Sequence, residues 1–190
     1  MSFRPVDPHR QLERLLEAEM EARLPSLLFF WKPVPEEDGP GPWVLSQWWP
    51  TELEVDGTTY PHAEAYMMAE KARLFGDEDT CRRILESKDP AEARRLGRRV
   101  RGFYGPLWEE RRFETVVRGN LAKVSQHDAL GRYLVPTAPE VLVEASPNDT
   151  VWGIGLAAHD EGAGRPSEWR GLNLLGFALV AVRDRMAGAK

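Results

Sequence analysis

The 190-residue sequence predicts a helix-dominated α+β domain with a small β-sheet, and three observations carry that prediction. After Gly76 about sixty residues show helix caps and helical apolar spacing with no strand pattern. Asp56-Gly57, set between Leu53–Val55 and Thr58–Tyr60, is the strongest hairpin signal in the chain. The runs from Leu27 to Trp31 and from Val141 to Glu144 read as short strands, too few to make a sheet-dominated fold.

Each element follows from local chemistry. From Pro8 to about Arg23, Leu12, Leu15, Leu16 and Met20 recur at helical spacing among charges, which predicts an amphipathic helix packed on the body. A Pro/Gly/acid loop from Lys32 to Pro42 follows the first strand, then Trp43 to Trp49 lead to the hairpin. Pro61 suits a first helical turn and Gly76 a C-terminal cap, so the stretch between them is a helix. Asp77 can cap another helix through Ser87, and Asp89, Pro90 and Glu92 form a cap, a first-position proline and a third-position acid for the next, to about Arg99. A longer helix runs from about Pro106 to Gln126, with Trp108, Phe113, Val116, Val117 and Leu121, and Leu130 to Leu134 ends at Pro136. Val151 to Ile154 is a short apolar element, 157 to 169 a loop, and the last helix, from about Leu172 to Met186, sets Leu175, Ala178, Leu179 and Val182 on one side.

Composition bounds the function. A net charge of -5 gives no bulk nucleic-acid-binding surface. Cys81 is the only cysteine and the four histidines are scattered, so neither a disulfide framework nor a metal-ligand spacing is expected, and a reducing cytoplasm fits. No apolar run approaches the roughly 20 residues of a membrane span, and the N-terminus lacks the ordering of a secretory signal.

The sharpest candidate chemistry lies on the helix between Pro61 and Gly76. Wound at about 100° per residue, it collects Ala63, Met67, Met68, Leu74 and Phe75 in one arc of roughly 140°. Glu64 and Lys71 fall inside that arc, although His62, Ala65, Tyr66, Ala69, Glu70, Ala72 and Arg73 leave room elsewhere for charge. Charges in an apolar face meet a partner, a wet cleft or a ligand, or else run their stems over apolar surface into an ion-pair network. The second concentration is LVEASPNDTVWGIG, where a strand end releases Glu144, Ser146, Asn148 and Asp149 and then presents Trp152 beside two glycines. The plainer reading is a polar turn closed by its own side chains, with Trp152 as a core plug. Gly153 to Gly155 lack the rest of a dinucleotide fingerprint, and no serine has a nucleophile-elbow setting.

Six blocks together carry a resemblance: LSQWWP, VDGTTYPHAEAYMMAEKARLFGD, DPAEARRLGRRVR, RGNLAKVSQ, LVEASPNDTVWGIG and WRGLNLLGFALVAVRDRM. In this order they resemble the NADAR or YbiA-like family over about Leu28 to Met186. This divides the chain into an N-terminal helical extension, 1–27, and a family domain, 28–190. The resemblance implies a cytoplasmic N-glycosidase without metal or other cofactor. Its substrates would be phosphoribosylamine intermediates of riboflavin biosynthesis, or ADP-ribosylated guanine in a nucleoside or nucleic acid. Glu64 would act as general base or stabiliser of an oxocarbenium-like cation. Lys71 would grip ribose or phosphate oxygens or attack an opened sugar as an amine, the first role being preferred because Glu64 would hold it protonated. Asp149 and Asn148 would bind ribose hydroxyls, Trp152 and Trp48 would sandwich the heterocycle, Glu144 would add an acceptor, and Arg98, Lys123 and Asn173 would contact phosphate. The chain departs from the family at Ala65 and at Gln47-Trp48-Trp49, positions that touch the base-stacking wall and so bear on substrate identity. The rival from another class is a non-catalytic module that binds NAD or ADP-ribose, and a third is a structural partner protein, hinted at only by the N-terminal helix.

Overall fold

The computed structural model describes residues Asp7–Gly188; the first six residues of the N-terminal extension and the last two of the chain lie outside the described residues. Along the chain stand α1 (Pro8–Met20), β1 (Leu27–Phe30), β2 (Leu53–Val55), β3 (Thr58–Tyr60), α2 (Ala63–Leu74), α3 (Glu78–Glu86), α4 (Pro90–Gly97), α5 (Gly105–Ser125), α6 (Asp128–Leu134), β4 (Val141–Glu144) and α7 (Leu174–Gly188). Short 3-10 turns fill Pro42–Leu45, Val135–Thr137 and Pro166–Glu168. The helix-dominated α+β class stands. Its β-structure is two separate two-stranded ladders, β1 with β4 in parallel and β2 with β3 antiparallel.

The chain resolves into two compact units, Gln47–Asp128 and Met1–Ser46 with Ala129–Lys190. In the first, Asp56 and Gly57 both adopt positive φ (52° and 73°), the backbone a tight hairpin turn needs. Leu53 pairs with Tyr60 and Val55 with Thr58; Leu53, Val55 and Tyr60 are buried and Glu54 is exposed. Arg118 of α5 grips the Asp56 carboxylate at 2.6 Å, and Gln126 donates to and accepts from the Glu54 backbone, so the hairpin is pinned to α5.

Helix α2 is the axis of this unit, packed by α3, α4 and α5. Glycines set the approach: a Cβ on Gly97 of α4 would overlap the Met68 thioether, and one on Gly119 of α5 would overlap the Tyr66 ring. Two expectations about α2 are corrected. Pro61 lies before the helix and His62 is its cap, with imidazole Nδ1 accepting from Ala65 N at 3.0 Å. The side assigned to solvent is interior: Ala65, Tyr66, Ala69 and Ala72 are all buried, because helices cover them, while Leu74 and Phe75 at the end of the apolar arc are only partly buried. Gly76 N–H bonds to Arg73 O and Asp77 N–H to Ala72 O, closing the helix where the sequence placed its stop.

In the second unit, Leu27 to Phe30 pair with Val141 to Glu144 residue for residue. Val143, Ile154, Leu156 and Ala163 form a core under that ladder. Helix α7 is buried almost all round, from Leu174 to Leu179 and again from Ala181 to Arg183, rather than along one side. The amphipathic α1 packs on α7, and Glu19 accepts from Ser167 N and Oγ at 2.8 and 2.9 Å.

Candidate functional site

In the unit Gln47–Asp128 the candidate groups gather around α2. Glu64 sits in the first turn with 5% of its surface exposed, a position where the positive end of the helix dipole favours a carboxylate. Its backbone N–H bonds to the Gln47 carbonyl at 3.0 Å, and Asn120 Nδ2 donates to Gln47 Oε1 at 2.8 Å and to Val116 O at 2.9 Å. Gln47, His62, Glu64, Asn120 and Lys123 are all buried in this unit, a concentration of polar side chains in a largely apolar interior. Burial pushes the His62 imidazole down to about 4, so it stands neutral near pH 7; Asp89 and the Lys88 backbone pull upward, and Lys123 adds to the fall. The sequence reading singled out Gln47 only as a departure at the base-stacking wall, and missed His62 and Asn120 as site builders. Asn120 carried a signal, since it breaks the apolar side of α5; with Pro61 placed in the first helical turn, nothing marked His62 as the cap.

Two turns along α2 from Glu64, about 10 Å of rise, Lys71 is half-buried with Nζ 4.2 Å from the Phe103 ring centre and 5.8 Å from that of Trp108. Ring faces favour an ammonium. Burial first and the Arg98 charge second oppose it, and the net effect lowers the Lys71 pKa. The expectation that Glu64 sets Lys71's charge is therefore corrected: desolvation and Arg98 dominate, and both favour the neutral amine. Arg98 itself is exposed at the end of α4 and Trp48 is partly exposed. Lys123, expected to contact phosphate, lies in the interior of this unit. It is 1% exposed, and burial brings its ammonium down to about 7.

In the other unit, the loop after β4 is built by its own polar groups. Asp149 Oδ1 accepts from Val151 N at 2.9 Å and Trp152 N at 2.8 Å, the side-chain-closed turn expected of SPND. Ile154 N returns to Glu144 O at 2.9 Å, and the backbone from Leu172 to Leu175 bonds to the carbonyls of Thr150, Gly153, Val151 and Trp152. This lacing replaces the short apolar element read at Val151 to Ile154. Asn173, predicted to contact phosphate, is fully buried: its Oδ1 accepts from Glu144 N and its Nδ2 donates to Leu142 O, both at 2.9 Å. That amide is a latch between β4 and α7, with both ends occupied. Asn148 is exposed, whereas Glu144, Asp149 and Trp152 are partly buried, so Trp152 is not a core plug.

Among the described residues no group of three or more His, Cys, Asp or Glu side chains is arranged to hold a metal ion, and no helix is long and apolar enough to cross a membrane.

A helix-dominated α+β chain with an acid buried at the head of its central helix is the structural class these features define. The chain belongs to the NADAR domain family, whose model matches residues 29–187. It is 40% identical over 146 residues to the N-glycosidase R617 of Acanthamoeba polyphaga mimivirus, covering 74% of this chain and 86% of that protein. It is 34% identical over 139 residues to the N-glycosidase YbiA of Escherichia coli (strain K12), covering 73% and 77%. The NMR structure of the E. coli protein YbiA matches over 86% of both chains with a TM-score of 0.69 and 29% identity. The riboflavin biosynthesis protein PYRR, chloroplastic, of Zea mays is 36% identical over 141 residues, 70% of this chain but 21% of that longer protein.

Proposed function

We propose that this chain is a cytoplasmic N-glycosidase that hydrolyses the bond between ribose C1′ and an amine on a heterocycle, without a metal. Its substrates on this reading are phosphoribosylamine intermediates of riboflavin biosynthesis or ADP-ribosylated guanine. The names of R617 and YbiA support the reaction, and that of PYRR the pathway. The observation that carries the reading is Glu64, a carboxylate kept in an almost wholly buried turn of the central helix.

Cleavage develops positive charge at C1′. The Glu64 carboxylate stabilises that charge and takes a proton from the attacking water; the water oxygen bonds to C1′, and the C1′–N electron pair leaves with the heterocycle amine, which takes a proton from solvent as it departs while Glu64 returns its own to solvent. Lys71 serves in one of two ways. As an ammonium it grips hydroxyl or phosphate oxygens, with Arg98 as a second cation. As a neutral amine it adds to C1′ of a ring-opened sugar, the heterocycle amine leaves with a proton, and water then cleaves the Schiff base. Burial and Arg98, which lower its pKa, support the second. In the other unit, Trp152 takes a stacking role and Asn148 a hydroxyl contact.

The test is a panel of ribosylamine phosphates and ADP-ribosylated guanosine, scored for release of free base and reducing sugar. Turnover of at least one is expected; tight binding of ADP-ribose with no hydrolysis of any member makes the chain a binding module. Exhaustive chelation is expected to leave turnover unchanged, because acid, base and amine chemistry suffice for this bond. A loss restored by zinc or magnesium overturns that part.

A further inference from the structure

We propose that Phe103 is a positioning residue for Lys71, its ring fixing where the Lys71 nitrogen stands and keeping water from it; this rests on the reading that Lys71 acts on the substrate. The juxtaposition is specific. Phe103 is 49% exposed on the turn between α4 and α5, yet the half-buried Lys71 nitrogen lies 4.2 Å from its ring centre. A large apolar side chain left on an exposed turn gains little for the fold by itself.

Three separate devices hold that turn against the end of α2. The buried Asp77 carboxylate accepts from Arg101 N at 2.8 Å and from its guanidinium at 2.7 and 3.1 Å, and these bonds keep the carboxyl far below the usual carboxylate range. Gly102 follows with φ +69°, a backbone that L side chains rarely adopt, so glycine is needed to turn the chain there. Phe75, the residue after α2, meets the Phe103 ring edge-on at 5.3 Å between centres. Arg101, Gly102 and Phe75 thus place one side chain, and that side chain covers the amine. Tyr104, next along and 62% exposed, stands at the N-cap position of α5 with no side-chain capping bond, and serves as the control.

The experiment is trace acetylation of the intact chain with limiting acetic anhydride, from neutral to alkaline pH, reading Lys71 by mass spectrometry. Only the neutral amine reacts, so the profile reports its proton affinity. Arg98, the cation of the neighbouring helix end that bears on Lys71, stays in every variant. Phe103→Ala removes both the ring face that favours the ammonium and the apolar cover that opposes it; on this proposal the cover outweighs the face, so the profile should move upward by at least about half a pH unit, a threefold fall in neutral amine at fixed pH. Phe103→Tyr, which keeps the ring, and Tyr104→Ala should match the wild type. With a substrate from the panel, Phe103→Ala should lower kcat more than it raises KM, and Phe103→Tyr should restore it. A Phe103→Ala profile that superimposes on the wild type, or an equal shift in Tyr104→Ala or Phe103→Tyr, overturns the proposal. The glycosidase reading fails separately, by the absence of turnover across the panel. Lys71→Ala at wild-type turnover would leave an amine that is positioned but unused, and would overturn the functional half of this inference whatever the labelling shows.

Discussion

Replacing a buried carboxylate by its amide keeps shape and removes charge, which makes Glu64→Gln the cleanest single substitution in this chain. Turnover of the best substrate should fall by at least about a hundredfold, the scale of losing one base or charge stabiliser. The melting temperature of the same sample separates lost chemistry from lost fold. Wild-type turnover in Glu64→Gln would remove the assignment. Lys71 is read by trapping: substrate and borohydride should leave a ribose-phosphate or ADP-ribose adduct on the intact chain that disappears in Lys71→Ala. Absence of any adduct with an actively hydrolysed substrate returns lysine to the electrostatic role. Trp152 is partly exposed, so Trp152→Ala should weaken ligand binding by about 1–3 kcal/mol, as for an aromatic under a base. Its melting temperature should fall less than the roughly 3–5 kcal/mol loss of a core tryptophan implies. Affinity and melting measured on one sample separate these effects, and unchanged affinity ends the stacking role.

At the scale of elements, the sequence disclosed boundaries better than neighbours. Asp77, Asp89 and Gly76 marked helix ends because caps act within a few residues of themselves, and each stands where its chemistry put it. Which faces of α2 are covered was hidden, because period describes one helix and burial depends on what packs against it. Alanines and a tyrosine read as neutral outward residues are interior because α3, α4 and α5 come close. Gly97 and Gly119 carry that information, but only the packed structure shows which side chains they admit. Burial was hidden at Lys123 and Asn173 too: a polar letter beside a motif suggested a ligand, whereas Lys123 is an interior amine and Asn173 a β4–α7 latch. Glu64 was legible because its burial follows from the same wheel even though the wheel's solvent side was wrong. The close approach has a price: Gly119→Ala should destabilise by roughly 1–3 kcal/mol, the range for an overpacked core. For a chain of this size that is about 2–4 °C per kcal/mol, read by thermal melting. A melting temperature equal to the wild type would mean that Tyr66 yields without cost.

Across the whole molecule, three buried groups, His62, Asp77 and Lys123, tilt stability against acid, whereas burial raises the pKa values of Tyr60, Tyr66 and Cys81 and so tilts it against strong alkali. Each unit of separation between folded and unfolded pKa is worth about 1.4 kcal/mol. His62 titrates at about 4 in the fold against an ordinary 6.5, so between those values the unfolded chain binds more protons and stability falls as pH falls. Asp77 is depressed by its Arg101 bonds, so its contribution is complete above the ordinary value of 3.8 and is lost only below it. Lys123 titrates at about 7 against 10.5, so stability should rise with pH between those values as the unfolded lysine stays protonated longer. Three variants assign the three windows. His62→Asn keeps a capping side chain without a titrating ring and should flatten the melting curve between about pH 6.5 and 4. Asp77→Asn should flatten it below about pH 4 while lowering it at neutral pH, because the Arg101 pair is lost. Lys123→Met should flatten the alkaline rise, because the amine that titrates there is gone. Thermal melting of the four proteins across pH is the measurement. A wild-type melting temperature that stays level from about pH 7 to 8.5, below the range where Cys81 and the buried tyrosines begin to titrate in the unfolded chain, would show that Lys123 keeps its proton as readily inside the protein as in water.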